Sequence, residues 1–176
     1  MAPLSWASLS TPAGQVSVGC TPDGVATVRY GDPAAGRDHG AAAGDLAETA
    51  RAQLTEYFLG RRREFELPVD WSATAGPQRE VLKLLAATVG YGQTISYGAL
   101  ASKAGLPSGD GTPPARIVGT IMATNPIPVI VPCHRVLASD GIGGYSGGAG
   151  IEVKRWLLIL EGSLPPTLDW QPTEPP

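Results

Sequence analysis

The sequence has little cysteine and no long apolar run. Its 176 residues include two cysteines, Cys20 and Cys133, which is too few for a disulfide framework. No apolar stretch is long enough to span a membrane, and the first residues lack the basic and apolar segments of a secretory signal. These absences argue against a disulfide-rich secreted domain, and they predict a reduced, cytoplasmic protein with no membrane partner.

Residues suited to bind a metal are also scarce. The chain has two histidines, and His39 has no cysteine or histidine near it at the spacing of metal ligands. Cys20 lies beside a predicted turn and is interpreted as a small buried apolar side chain. Because Cys20 and His39 alone cannot form a zinc site, we predict no metal and no cofactor.

An excess of positive charge is missing from the chain as a whole, whose formal net charge is −3. The charges are unevenly distributed, however. Residues 77–162 carry seven Lys and Arg against five Asp and Glu, whereas residues 1–76 carry six against nine. The second segment is therefore the better candidate for a surface that faces DNA, and its small surplus predicts few phosphate contacts.

The first half has the pattern of a small sheet followed by one helix. Residues 6–30 alternate apolar and polar side chains around two Pro/Gly turns, which predicts a three-stranded meander. Asp45 and Glu48 form a capping-box pattern ahead of a helix, and the apolar stripe of that helix includes Tyr57. Phe65–Val69 is a candidate for a further strand.

The second half has the pattern of several short helices. Pro77 and the apolar positions after it predict a buried helix, and Ser96 is placed to cap a helix over residues 97–103. A further helix over residues 115–123 would complete a helix-turn-helix pair. Residues 106–112 between the two are interpreted as a flexible insertion.

These patterns divide the chain into two domains. We expect an N-terminal α+β domain over residues 1–70, a linker over 71–76, and a C-terminal domain over 77–162. The C-terminal domain has the candidate DNA-binding surface, and the active-site candidates described next also lie in it. Residues 163–176 contain five prolines and little periodicity, which predicts a mobile tail.

One cysteine is directly followed by a histidine. Val129–Val131 is an apolar, β-branched run that predicts a short buried strand, and Pro132 would end it because proline has no amide hydrogen. Cys133 and His134 come next, and an imidazole is a common base for activating a thiol. Adjacent side chains of an extended chain point to opposite sides, so these two meet only across a sharp turn or a water. A buried free cysteine beside a structural histidine is the open alternative.

The last predicted helix, over residues 151–161, ends in a glutamate. A negative charge at a helix C-terminus opposes the helix dipole. Glu161 is therefore a candidate to orient His134 in a carboxylate–imidazole–thiol chain. An ordinary exposed glutamate at a helix end is the alternative.

Several separated motifs agree in order and spacing with one known family. The chain resembles the O6-alkylguanine-DNA alkyltransferases, also called methylated-DNA–protein-cysteine methyltransferases, in Asn125–Pro128, Pro132–Arg135 and Gly144–Gly148. The resemblance runs from about Gly76 to Gly162 and is weaker over residues 1–70. It implies an α+β fold, in which a small three-stranded antiparallel sheet with a helix precedes a mostly helical, winged-helix or helix-turn-helix-like alkyltransferase domain.

The resemblance implies DNA repair by direct transfer of an alkyl group to Cys133. The substrate would be O6-alkylguanine in DNA, and also O4-alkylthymine. His134 would take the thiol proton through a water with Glu161 behind it, and Tyr97 would donate to N3 of the leaving base. Because water does not cleave the thioether product, each molecule would act once. The alternative for Tyr97 is an aromatic packed on the core.

The implied partner is double-stranded DNA, which the second helix of the pair would approach through the minor groove. Arg116 would fill the gap left by a base rotated out of the stack, a rotation that costs roughly a few kcal/mol. Ala115 and Gly119 are small and would let the helix approach closely. The alternative for Arg116 is a surface arginine. No obligate protein partner is implied, and we expect a monomer.

The same resemblance assigns the rest of a substrate pocket. Asn125 would brace the helix pair against the reactive turn, and Arg135 would stiffen that turn through an internal pair. The base and its alkyl group would be contacted by the carbonyls of Cys133 and Val136, the amide of Ser146, and the residues Pro128, Tyr145 and Gly147.

Two other functional classes stay open. A Cys-His hydrolase would use the same thiol, although no oxyanion hole or acyl pocket is recognisable. A non-reactive winged-helix module that senses lesions would use the same DNA surface. Relatives of that kind have lost the cysteine, whereas Cys133 is present here.

Overall fold

Residues 3–31, 44–108, 110–147 and 150–166 are described by the computed structural model. They form a three-stranded sheet with one long helix against it, and four further helices around a two-stranded ladder. The predicted α+β class is confirmed. His39 and most of the predicted tail lie outside the described residues.

The sheet is an antiparallel meander, as its alternating sequence predicts. Its central strand pairs Val18 with Ala7 on one side and with Val28 on the other. The three strands follow sequence order: β1 (Ser5–Thr11), β2 (Gly14–Thr21) and β3 (Gly24–Tyr30).

Helix α1 (Asp45–Phe58) packs its apolar stripe on this sheet, and Leu54 and Tyr57 are fully buried. The predicted capping box is wrong. Gly44 is the N-cap, Asp45 is already helical, and no side chain caps the helix. The acidic residues of the first turn therefore act through the helix dipole rather than through capping bonds.

The segment after α1 returns along the sheet without forming a strand. The prediction of a strand over Phe65–Val69 is wrong, because only one parallel bridge forms, between Val69 and Val25. Pro68 has no amide hydrogen for a ladder, although its carbonyl accepts from the Val25 amide at 2.8 Å. The predicted linker begins with a 3-10 helix at Trp71–Ala73.

The second half is built from four helices close to the predicted bounds. Ser96 caps the second of them by accepting from the amide of Ala99 at 3.0 Å, as predicted. Strands β4 (Ile95–Ser96) and β5 (Val136–Leu137) pair in parallel and join this helix start to the segment after Cys133. The helices are α2 (Gly76–Thr88), α3 (Tyr97–Lys103), α4 (Pro114–Ala123) and α5 (Ile151–Leu160).

The run Val129–Val131 is a turn, so the predicted strand is wrong. Val129 has a φ of 74°, and the amide of Val131 donates to the carbonyl of Ile127 at 2.9 Å. A left-handed β-branched residue costs roughly 1–3 kcal/mol. Short all-apolar runs do not distinguish a buried strand from a buried turn, which explains the error. The turn directs the chain into the core just before Cys133.

One hydrophobic core spans both halves of the molecule. The amide of Val28 in β3 also donates to the carbonyl of Pro126 at 3.0 Å, so the sheet abuts the loop that leads to Cys133. Within the described ranges, no helix is long and apolar enough to cross a membrane. Fully buried core residues come from the sheet and from four of the helices: Val18, Leu54, Leu82, Leu100 and Leu157.

Candidate active site

Residues Cys133–Arg135 form a single 3-10 turn, here called the reactive turn, and all three are buried. The amide of Arg135 donates to the carbonyl of Pro132 at 3.0 Å, and the amide of Cys133 donates to Val131 at 2.8 Å. The chain is therefore sharply turned at this point rather than extended. A sharp turn of this kind allows the side chains of the adjacent Cys133 and His134 to face the same site.

The imidazole of His134 is bonded to the carboxylate of Glu161. The Nε2–Oε1 distance is 2.8 Å, and neither side chain has any exposed surface. Glu161 is the C-cap of α5. The alternative of an exposed glutamate at the helix end is thus wrong, and the carboxylate reaches the reactive turn because α5 ends against it.

Burial and charge set the protonation of this pair. Burial alone would raise the pKa of Glu161, but hydrogen bonds from His134 and Arg135 outweigh it and lower that pKa to about 2. Burial lowers the pKa of His134, which the nearby carboxylate only partly offsets. At neutral pH the imidazole is therefore neutral, and its Nε2–H donates to Glu161. This tautomer leaves Nδ1 as an acceptor, and Nδ1 is buried with no hydrogen-bond partner among the described residues.

Arg135 and Tyr57 also bind the carboxylate of Glu161. The Arg135 guanidinium donates through Nε to Oε2 and through Nη2 to Oε1, both at 2.9 Å, and through Nη1 to the carbonyl of Val89 at 2.7 Å. Arg135 is therefore internally paired, as expected from the sequence. The hydroxyl of Tyr57 donates to Oε1 at 2.6 Å. The carboxylate is thus held by donors from α1 and from the reactive turn.

Cys133 is buried, with 4% of the residue exposed. Burial raises the pKa of its thiol, and a hydrogen bond from Asn125 and the charge of Lys154 offset only part of that rise. Asn125 also donates to the carbonyl of Val131 at 2.9 Å and accepts from the amide of Ile127 at 3.0 Å. Asn125 thus ties the end of α4 to the turn before Cys133, and the resting sulfur is a thiol.

Cys133 lies in the wall of a cavity of about 420 Å³. The hydroxyls of Tyr145 and Tyr30 are 3.0 Å apart, which links this wall to β3. Gly147 packs closely against both rings, because a Cβ there would lie 2.5 Å from Tyr30 and 2.7 Å from Tyr145. The cavity is lined by Gly119, Met122, Ala123, Cys133, Gly144, Tyr145 and Ser146.

Three expected pocket residues occupy other positions or have other partners. Pro128 is on the turn before Cys133, bridged to Val131, and is not among the residues that line the cavity. The Ser146 hydroxyl donates to the carbonyl of Ala123 at 3.1 Å. The carbonyl of Val136 already accepts from Lys154 at 2.6 Å, which leaves one lone pair for another donor.

Lys154 was not recognised from the sequence as a site residue, yet its side chain is fully buried. Its Nζ donates to the carbonyls of Val136 and Gly144 and, at 3.4 Å, to the hydroxyl of Tyr97. Burial lowers the pKa of Lys154 to about 8. Burial has the opposite effect on the acidic hydroxyl of Tyr97: it raises the pKa, so that the hydroxyl keeps its proton at neutral pH.

A groove of about 670 Å³ runs along α3 and α4 beside the cavity, and it contains Tyr97, Ala115, Arg116 and Gly119. Arg116 is exposed in the first turn of α4. A Cβ at Gly119 would meet no atom within 4 Å, so packing inside the molecule does not require glycine there. Gly119 and Ala123, both on α4, border both spaces, so the groove and the cavity are adjacent and share part of their walls.

Residues 76–163 match the family model described as "6-O-methylguanine DNA methyltransferase, DNA binding domain". The chain belongs to the O6-methylguanine-DNA methyltransferase family. The resemblance drawn from the motifs is therefore confirmed over nearly the same residues, and the match includes α2 to α5, the reactive turn and Glu161.

Similar proteins match different lengths of the chain. The methylated-DNA–protein-cysteine methyltransferase of Mus musculus is 52% identical over 85 residues, which are 48% of this chain but only 37% of that protein. The DNA base-flipping protein of Thermus thermophilus is 37% identical over 158 residues, which are 89% of this chain and 99% of that protein. The crystal structure of Mycobacterium tuberculosis OGT in complex with DNA has a TM-score of 0.74 and 34% identity, and the match covers 90% of this chain and 92% of that one.

The candidate site includes three side chains that were not recognised from the sequence as site residues: Tyr30, Tyr57 and Lys154. Tyr57 was predicted only as part of an apolar stripe, and Lys154 only as one of the basic residues of the second half. The available signal for Lys154 was its place between the inward residues Val153 and Trp156. In the described part of the chain, no three His, Cys, Asp or Glu residues are grouped to hold a metal ion.

Proposed function

We propose that this protein repairs DNA by irreversible, stoichiometric transfer of an alkyl group from O6-alkylguanine to the sulfur of Cys133. The observation that carries the proposal is the arrangement around the reactive turn. A buried thiol borders a cavity, and the adjacent His134 has its Nε2 bonded to Glu161 and its Nδ1 unpaired. That arrangement suits a base that accepts a proton as the thiol reacts.

The first step is activation of the thiol. His134 Nδ1 takes the proton of Cys133, with one water as the bridge between sulfur and nitrogen. The imidazolium is stabilised by the carboxylate of Glu161, which Arg135 keeps ionised. A low resting fraction of thiolate follows from burial of the sulfur, so proton transfer accompanies attack on the substrate.

The second step is displacement at the alkyl carbon. The thiolate forms a carbon–sulfur bond while the carbon–O6 bond breaks. The electron pair of the broken bond stays on O6 and is delocalised into the guanine ring. Tyr97 donates its hydroxyl proton to N3, so that guanine leaves as a neutral base. Lys154, hydrogen-bonded to Tyr97 at 3.4 Å, stabilises the phenolate and can return a proton to it. The thioether has no hydrolytic exit, and each molecule reacts once.

DNA would be held on the groove along α3 and α4. We propose that α4 enters the minor groove, that Ala115 and Gly119 let it approach closely, and that Arg116 fills the gap left by the flipped base. The adjacency of groove and cavity supports this path, since Gly119 borders the groove and also the cavity that contains Cys133. Asn125 would keep α4 and the reactive turn in register.

Several finer features belong to the same proposal. The chain would divide into the two expected domains at the linker, residues 71–76. It would act in the cytoplasm as a monomer without an obligate protein partner. Its substrates would also include O4-alkylthymine. The carbonyls of Cys133 and Val136 and the amide of Ser146 would bind the base, and Tyr145 and Gly147 would border the alkyl group. Pro128, which does not line the cavity, would instead shape the turn before Cys133. Support for this pocket is strongest at Tyr145 and Ser146, which line the cavity with Cys133.

The test is intact-protein mass spectrometry after incubation with O6-benzylguanine. We expect one added benzyl group per chain, mapped by peptide analysis to Cys133. Cys133→Ala should bind DNA normally in a gel-shift assay and take up no benzyl group. A wild-type protein that stays folded and unmodified after prolonged incubation would overturn the proposal, as would uptake by the alanine variant.

A second candidate function is suggested by the Thermus thermophilus relative, which is named DNA base-flipping protein and is matched over 99% of its length. In that case the chain would bind and flip a damaged base without reacting. The same experiment separates the two functions, because a base-flipping module would bind alkylated duplex tightly and acquire no mass.

A further inference from the structure

The sheet-and-helix half of the molecule reaches the catalytic carboxylate through one hydroxyl group. Tyr57, on α1, is fully buried and donates to Oε1 of Glu161 at 2.6 Å. The same hydroxyl oxygen lies 3.5 Å from Nε2 of His134. Oε1 is also the oxygen that accepts from His134, so Tyr57 touches the carboxylate where it meets the imidazole.

The ring of Tyr57 is held by aromatic neighbours. Its centroid lies 5.5 Å from that of Phe58, 5.4 Å from that of Phe65 and 6.2 Å from that of Tyr91. These contacts fix the orientation of the ring, and its hydroxyl is thereby directed toward Glu161. Burial raises the pKa of Tyr57 well above its usual value, and the adjacent carboxylate raises it further, so the phenol is always a donor.

We propose that Tyr57 is a positioning residue for alkyl transfer, which holds the Glu161 carboxylate in place on His134 from the opposite half of the molecule. The proposal rests on the function proposed above. Tyr57 keeps its proton throughout and does not touch the substrate. The site is thereby completed by a residue outside the family-matched segment, residues 76–163.

The physical role of the hydroxyl follows from how Oε1 is shared. This oxygen accepts from His134, Arg135 and Tyr57, and each donor draws charge away from the others. If the Tyr57 hydroxyl is removed, more of the carboxylate charge acts on His134. The imidazolium is then better stabilised, the pKa of His134 rises, and the ring is less firmly oriented toward the thiol.

Other charged and titratable groups near His134 come from three parts of the chain, and removal of the Tyr57 hydroxyl leaves them unchanged. Burial is the largest cause of the lowered pKa of His134, and Glu161 opposes it. The remaining groups are Cys133 and Arg135 on the reactive turn, Lys154 on α5, and Tyr91, whose own pKa is influenced by Glu161. A change confined to Tyr57 therefore isolates its effect on the carboxylate.

The experiment compares Tyr57→Phe with the wild type in rates of benzyl uptake from free O6-benzylguanine, over about pH 5 to 9. Free base is used because DNA binding then does not enter the rate. Tyr91→Phe is the matched control, since it also loses one phenolic hydroxyl close to Glu161, but that hydroxyl donates to the backbone carbonyl of Leu160 at 3.1 Å.

We expect Tyr57→Phe to reach one benzyl group per chain but about tenfold more slowly, the effect of one charge-assisted hydrogen bond. Uptake falls as pH drops through the pKa of His134, because a protonated imidazole accepts no proton. The variant raises that pKa, so its rate should fall at a higher pH than in the wild type. Tyr91→Phe should keep the wild-type rate and profile.

A second substitution guards against simple unfolding of the phenylalanine variant. Tyr57→3-fluorotyrosine keeps the hydroxyl and is a stronger donor, so the acid limb of its profile should move to lower pH. If the wild type takes up one benzyl group but both folded Tyr57 variants have the wild-type pH profile of uptake, the inference is overturned. Absence of uptake by the wild type would instead overturn the proposed function.

Discussion

The ammonium group of Lys154 donates a hydrogen bond to the hydroxyl oxygen of Tyr97 across 3.4 Å. The same ammonium lies over the Tyr97 ring, 5.6 Å from its centroid, and donates to two backbone carbonyls. One buried lysine thus joins α3, α5, strand β5 and the segment at Gly144. Its position makes it a charged support for Tyr97, the phenol that gives up a proton in the proposed mechanism.

Lys154→Met should slow benzyl uptake by about tenfold to a hundredfold, because the phenolate of Tyr97 then lacks a cation and a proton source. Uptake from free O6-benzylguanine is the measurement. Lys103→Met removes an exposed lysine from the end of α3 and should leave the rate unchanged. A Lys154→Met protein with the wild-type rate would show that Tyr97 acts without it.

Arg116→Ala should slow repair of alkylated duplex DNA at least tenfold while leaving the reaction with free O6-benzylguanine unchanged, since only the duplex requires a side chain to replace the flipped base. Both rates are followed by mass spectrometry. Arg51→Ala, on α1 and paired with Glu48, is the control for loss of one positive charge. Equal slowing on both substrates would refute a wedge role.

Gly119→Ala should change stability and duplex repair in opposite directions. Glycine within a helix costs about 1 kcal/mol relative to alanine, and a Cβ at this position meets no atom within 4 Å. Urea unfolding should therefore show a gain of about 1 kcal/mol. Repair of duplex should slow, because the added methyl group stands between α4 and the minor groove. Faster or unchanged duplex repair would mean that glycine is not needed there for DNA.

Glu161→Gln should alter the acid sensitivity of the fold. The pKa of Glu161 is lowered from 4.5 to about 2, against the effect of burial, by hydrogen bonds from His134 and Arg135. A carboxylate with a lowered pKa stabilises the folded state above pH 4.5, and that contribution is lost as the pH falls toward 2. Wild-type unfolding midpoints in urea should therefore fall more steeply over this range than those of the variant.

Glu152→Gln, on the exposed side of α5, is the control for that measurement and should keep the wild-type slope. Parallel slopes for Glu161→Gln and the wild type would show that the buried carboxylate is not the group that titrates.

Local patterns predicted most of the regular structure. Ser96 caps α3 as expected, because a serine side chain satisfies an amide only three residues away. The run at Val129 was misjudged, because a short apolar segment is equally suited to a buried strand and to a buried turn. The turn is imposed by neighbouring parts of the fold, since an isolated valine avoids a φ of 74°.

The sequence by itself determined the meander, the helices and the Cys133–His134 pair, since each depends on neighbours along the chain, and it pointed to Glu161 through charge and family resemblance. Only the tertiary structure decided what surrounds that pair. Tyr57 and Glu161 are 104 residues apart, and Tyr30 and Tyr145 are 115 apart, yet their polar atoms meet. Contacts over such separations depend on how the sheet packs against the helices, and no periodicity in either half encodes them.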